Sequence, residues 1–175
     1  MRRLVGALVG LLFLAGSAGA QDFDGLELKA IIGTSGFLDE VTDYYPVVGA
    51  AARVSLTPAF AIEPEFTYLR ASSRHQDYAF QTAVIWQVRR GRLAPYLLAA
   101  GGVRHSQFRF PGALQERFSS NEFTGGGGIG MRIGLGHRFR LSPEVRFGWE
   151  PIVRATVSLG YAPGPPLRPA RPSPR

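Results

Sequence analysis

Few residues in this chain are suited to chemistry, and each depends on its setting. Gly125, Gly127 and Gly130 stand in FTGGGGIGMRIGLG at the spacing G-x-G-x-x-G. That spacing cradles a pyrophosphate when a strand ends at the first glycine and a helix opens after the third. Glu63 and Glu65 lie two residues apart in AIEPEFTYLR, where an extended backbone would put both carboxylates on one face for acid–base work. His75 stands near Arg74 and Asp77, His105 beside Ser106, and His137 in the turn GHR. A histidine with a serine and a carboxylate at one rim is the material of a nucleophile–base pair.

The elements implied by the sequence remove most of these possibilities. After Gly130 the segment MRIGLGHRFRL keeps a period of two, so no helix opens, and Lys29 is the only lysine, so G-K-[ST] is absent. The glycines read instead as a barrel strand with room on one face. His105 and Ser106 are adjacent and must point to opposite faces of a strand. His75 reads as an outer-loop residue and His137 as an exposed turn residue, and three scattered histidines have no ligand spacing. The absence of cysteine excludes disulfides and thiolate metal sites. Glu63 and Glu65 share a parity with basic residues, so they read as ion-pair partners.

Alternation dominates the rest of the chain. Ile62, Phe66 and Tyr68 oppose Glu63, Glu65 and Thr67, and Val153, Ala155, Val157, Leu159 and Tyr161 oppose Arg154, Thr156, Ser158 and Gly160. This pattern predicts eight strands, near 24–33, 45–57, 60–70, 77–89, 93–109, 119–135, 138–149 and 152–161. TPA, RRGR and GHR are short connections. GTSGFLDEVTDYY, ASSRHQ and RFPGALQERF are longer, as when one rim faces the periplasm and the other the exterior, and the short WEP breaks the rule. The first twenty residues combine Arg2 and Arg3, the apolar run LVGALVGLLFLAG and the terminus Ala18-Gly19-Ala20, the pattern of a cleaved signal peptide. Residues 21–162 are expected to form one barrel, and 163–175 a Pro/Arg-rich disordered tail. The net charge of +7 is spread along the chain rather than clustered, and the chain is exported, so no nucleic-acid partner is expected.

Period two alone does not say which face is inside, since a soluble lipocalin-like barrel buries its apolar parity. Here the polar parity is sparse and carries charges of both signs: Glu27, Lys29, Arg53, Glu63, Glu65, Arg104, Arg132, Glu144, Arg146 and Arg154. Such a set predicts a paired network in a narrow lumen. The apolar parity carries Tyr68, Phe80, Trp86, Phe147, Trp149 and Tyr161 near strand ends, as interfacial girdles do. The expected fold class is therefore all-β: an eight-stranded antiparallel up-and-down transmembrane β-barrel. Eight strands leave an interior filled by side chains rather than an open pore.

PYLLAAGGVR, the long loop after it, the glycine-rich strand, GHRFRLSPEVRFG and a last strand closing on an aromatic together resemble the OmpA-like or OmpX-like eight-stranded outer-membrane barrels. The resemblance covers most of residues 22–162, but Tyr161 is followed by a tail, and no wall-binding domain is expected after the barrel. It implies a bacterial outer-membrane location, with outer-membrane lipid, lipopolysaccharide and the barrel assembly machinery as partners. The expected role is non-enzymatic and cofactor-free, in envelope structure or surface interaction. Phe37, Leu38 and Tyr44 in the first outer loop, with Phe110, Leu114 and Phe118 in the third, are the expected contact residues. A lipid-modifying barrel enzyme and a soluble lipocalin-like binder are the alternatives.

Overall fold

The computed structural model describes residues 25–37, 44–70, 75–89, 91–109, 117–149 and 152–163. The expected signal segment 1–20 and nearly all of the tail lie outside them. Eight strands run in chain order: β1 (Leu26–Phe37), β2 (Tyr44–Ser55), β3 (Phe60–Arg70), β4 (His75–Gln87), β5 (Leu93–Arg109), β6 (Arg117–Gly134), β7 (Phe139–Gly148) and β8 (Ile152–Tyr161). Each pairs antiparallel with the next, and β8 returns to β1 from Leu28↔Tyr161 to Phe37↔Ile152, closing the barrel. Closure gives the strands partners on both sides through the barrel wall, which an antiparallel sheet in hydrocarbon requires.

Two expectations change here. The first outer connection is shorter than the sequence suggests, because β1 continues to Phe37 and the β1–β2 ladder runs to Gly36↔Tyr44. Phe37 and Tyr44 are thus strand residues, as is Phe118 in β6, while Leu38, Phe110 and Leu114 lie outside the described residues. His75 likewise opens β4, paired with Phe108, instead of sitting in a loop. In each case a stretch that reads as a loop is held extended by the facing strand.

Strand faces follow the sequence alternation. β3 alternates between buried Ala61, Glu63, Glu65 and Thr67 and more exposed residues between them. The outer face carries exposed Ile32, Val48, Phe66, Val84, Leu97, Ile129 and Val157, whereas the compact apolar cluster inside is small, built from Ala61, Ala83, Ile85, Tyr96 and Leu98. Large apolar side chains therefore lie mostly outside and charges inside, the inverse of a water-soluble barrel.

Aromatics mark the two ends of that outer belt. Phe60 and Trp86 are ladder partners at the turn end, where Phe139 also meets Tyr161 at 5.5 Å. At the loop end Tyr68 meets Tyr78 at 5.1 Å and Phe123 meets Trp149 at 5.0 Å. Eight residues separate Phe60 from Tyr68, about 26 Å along a strand and roughly 20 Å along the axis of a barrel tilted by ~40°. That spacing suits the apolar band of a transmembrane barrel.

Local chemistry explains the tight turns and the gaps in the ladder. Gly91 and Gly136 have φ of 132° and 107°, and they sit in RRGR and GHR, where the chain reverses. Pro64 and Pro143 pair on one side, with Thr82 and Val157, while the ladders on their other sides skip them. A proline without an N–H fits a strand only where pairing is interrupted.

Candidate functional site

The lumen divides into a packed charged column and a small cup above it. At the turn end Arg132 donates to Glu27 from Nη2 at 2.6 Å, with Arg140 Nη1 3.8 Å from the same carboxylate. One level up, Glu63 accepts from Lys29 Nζ at 2.9 and 3.0 Å and from Arg53 Nε at 2.5 Å. Further along the axis, Glu65 takes Arg146 at 2.8 Å and Arg154 at 2.7 Å on its two oxygens. Arg146 also donates from Nε to Glu144, which accepts the Tyr96 hydroxyl at 2.8 Å. Of the expected lumenal residues, Glu27, Lys29, Arg53, Glu63, Glu65, Arg132, Glu144, Arg146 and Arg154 all line this column.

Arg104 does not join it. It lies on the same lumenal parity but nearer the loop end, where it donates to Glu122 across β5–β6 at 2.8 Å. The Arg104 hydrogen bond, with a second from Ser120, holds the exposed Glu122 carboxyl below its ordinary range.

Two further residues join the column: Arg140, whose parity with Glu144 and Arg146 marks it as lumenal, and Tyr96, which carries no charge. Tyr96 is fully buried, with the Arg53 guanidinium 4.8 Å from its ring centroid while its hydroxyl serves Glu144, so it joins two ion-pair levels. The signal for it is the glycine row itself. Tyr96 is paired with Gly130, and a Cβ added there would collide with the tyrosine ring. At Gly128 an added Cβ would come within 2.9 Å of Arg146 Cγ, and at Gly160 it would meet the Glu27 carboxylate. At Gly130 and Gly160 the vacant space is taken by a neighbour's side chain, at Gly128 it is shared between Arg146 and the Val145 carbonyl, and at Gly126 the β7 backbone itself lies close.

Each carboxylate of the column is held by a guanidinium or an ammonium, so Glu63 and Glu65 serve as ion-pair partners. At the loop end His75 Nε2 lies 3.0 Å from Asp77, its ring stacked on Phe108 at 4.1 Å. Ser106 faces Asp77 in the ladder on the same lumenal face and is buried. His105 points the other way and bonds Asn121 at 2.7 Å.

Above Arg146 and Arg154 the lumen opens into a cup of about 100 Å³, walled by Ser35, Thr67, Asp77, Gln81, Arg104 and Thr124. A space of that size holds a few waters and falls short of the ~300–1,000 Å³ of ordinary ligand pockets. The more distinctive feature of this end is outside the lumen. The β5–β6 ladder extends to Arg109↔Arg117, whereas the β6–β7 ladder stops at Gly126↔Gly148. Among the described residues, Arg117–Thr124 therefore pair on one side only, leaving roughly 25 Å of strand with a free flank. Phe118 and Phe123 are exposed along it.

No family model and no curated protein matches the sequence. Solved structures do match in three dimensions. The N-terminal β-barrel domain of Pseudomonas aeruginosa OprF superposes with a TM-score of 0.59 at 12 % identity, covering 81 % of this chain and 98 % of that one. Neisserial surface protein A gives 0.59 at 12 % identity, covering 77 % and 92 %. A transmembrane β-barrel designed de novo gives 0.54 at 16 % identity, covering 81 % and 97 %. A designed barrel in this set makes plain that the likeness concerns architecture. With its inward charges and outward apolar belt, the chain has the fold of the eight-stranded transmembrane β-barrels.

Proposed function

We propose that this protein is a non-catalytic outer-membrane barrel that presents its β5–β6 hairpin at the cell surface for contact with other surfaces. The reading rests above all on the one-sided stretch Arg117–Thr124, which offers unpaired backbone groups and the exposed Phe118 above the girdle pair Phe123–Trp149. The ion-paired lumen supports a scaffold role over conduction, because its long side chains cross from β3 to β7 and β8 and occupy the axis. Export through a cleaved signal and exposure of the longer connections complete the reading.

The chain has no native cysteine, so a single thiol reports its own location. In intact cells, Ser119→Cys should react with a membrane-impermeant maleimide. Cells producing the protein should be retained on protein-coated surfaces, and deletion of residues 108–122, which removes the one-sided stretch down to the girdle, should abolish that retention while the folded barrel persists. Labelling only after permeabilisation would reverse the orientation. Retention equal to that of cells lacking the protein would leave an envelope-structural role.

A further inference from the structure

The turn end carries a ring of arginines that the ion-paired lumen does not use. Arg89 and Arg92 flank the β4–β5 turn and Arg138 the β6–β7 turn, all three exposed. Arg92 Nε donates to the Gly134 carbonyl at 3.3 Å and Arg138 Nη1 to the Tyr161 hydroxyl at 3.4 Å, so two neighbouring turns and the girdle are tied into one rim. Among the described residues the carboxylate nearest this rim is Glu27, which faces Arg132 and Arg140 inside the lumen. Outside them the sequence adds Arg90 and the basic tail against Asp22 and Asp24.

Position relative to the apolar belt identifies what such a ring meets. Arg89 follows exposed Trp86 and Val88, Arg92 precedes exposed Leu93, and Arg138 precedes exposed Phe139. Girdle aromatics sit at the headgroup level, and the polar layer outside the hydrocarbon is about 5–8 Å thick on each side. The guanidiniums are one to three residues beyond those anchors, which in a bilayer would put them at the depth of the lipid phosphates. Arginine's planar fork suits a phosphodiester oxygen pair.

We propose that the turn rim, through Arg89, Arg92 and Arg138, binds anionic phospholipid headgroups in the leaflet at the turn end of the barrel. The proposal rests on membrane insertion and is independent of the loop-end contact role. It gives the barrel a preferred lipid shell at one rim and pins that rim at a fixed depth.

The test uses the full chain folded in phosphatidylcholine bilayers that contain spin-labelled phosphatidylglycerol or spin-labelled phosphatidylcholine. The motionally restricted fraction gives the relative association of each lipid with the barrel. The native chain should favour the anionic lipid about threefold or more, an effect reduced in 0.5 M salt. The variant Arg89→Gln/Arg92→Gln/Arg138→Gln should bring the ratio close to one, each single change removing part of it, and Arg70→Gln at the opposite rim should leave it unchanged. Equal association of both lipids with the native chain overturns the proposal, as does undiminished selectivity in the triple variant or an equal loss in Arg70→Gln. Heat-shifted gel mobility of each sample separates these outcomes from a failure to insert, and the single variants carry the test should the triple variant not fold.

Discussion

Glu65 shows what individual charges do in this molecule. It sits on β3 and holds Arg146 of β7 and Arg154 of β8, so one carboxylate ties together strands on different sides of the lumen. Removing its charge leaves two guanidiniums short of a partner in a packed interior, and a broken buried pair typically costs about 3–5 kcal/mol. Glu65→Gln should therefore lower the urea midpoint of the folded barrel in lipid vesicles by an amount in that range. Glu122→Gln, at an exposed pair, should leave the midpoint unchanged within error. Equal effects from the two would mean that the lumenal column does not carry the stability. Tyr96 teaches a related lesson: its ring is placed by Gly130 opposite and its hydroxyl by Glu144, neither of which is near it in sequence.

At the scale of the element, β6 combines two demands within one strand. Its lower half keeps lumenal glycines where Tyr96 and Arg146 need room, and its upper half leaves the barrel with a partner on one side only. Gly128→Leu should destabilise the barrel by about 1–3 kcal/mol or prevent folding, because the added side chain overfills space held by Arg146. Val157→Leu on the outer face of β8 should be nearly silent in the same urea titration, since lipid rearranges around an added methylene. A silent Gly128→Leu beside a damaging Val157→Leu would reverse the inside and outside assignments.

For the whole molecule, closure and the charged column together predict a resistant, non-conducting barrel. The folded protein should migrate differently on a detergent gel before and after boiling and should appear in membrane fractions. Reconstituted in a planar bilayer it should give no steady conductance, because the column of ion pairs occupies the axis. Recovery wholly in the soluble periplasmic fraction would defeat the transmembrane reading and promote a lipocalin-like one. Steady single-channel steps would show that the column opens.

What the sequence determined by itself was whatever depends on period and local chemistry. Alternation in AIEPEFTYLR and IVRATVSLGY assigns each residue to a face, RRGR and GHR mark reversals at positive-φ glycines, and β3, β5 and β8 end where the pattern predicts. The inward set of charges was legible for the same reason, since parity survives any error in strand ends. Only the tertiary structure decided which charge meets which. Lys29 and Glu63, or Glu27 and Arg132, are neighbours because the barrel closes with a particular stagger between strands, and stagger is not written in any one strand. The same cause lengthened β1 to Phe37 and set Arg104 apart with Glu122. A strand ends where its partners stop pairing, and those partners lie elsewhere in the chain.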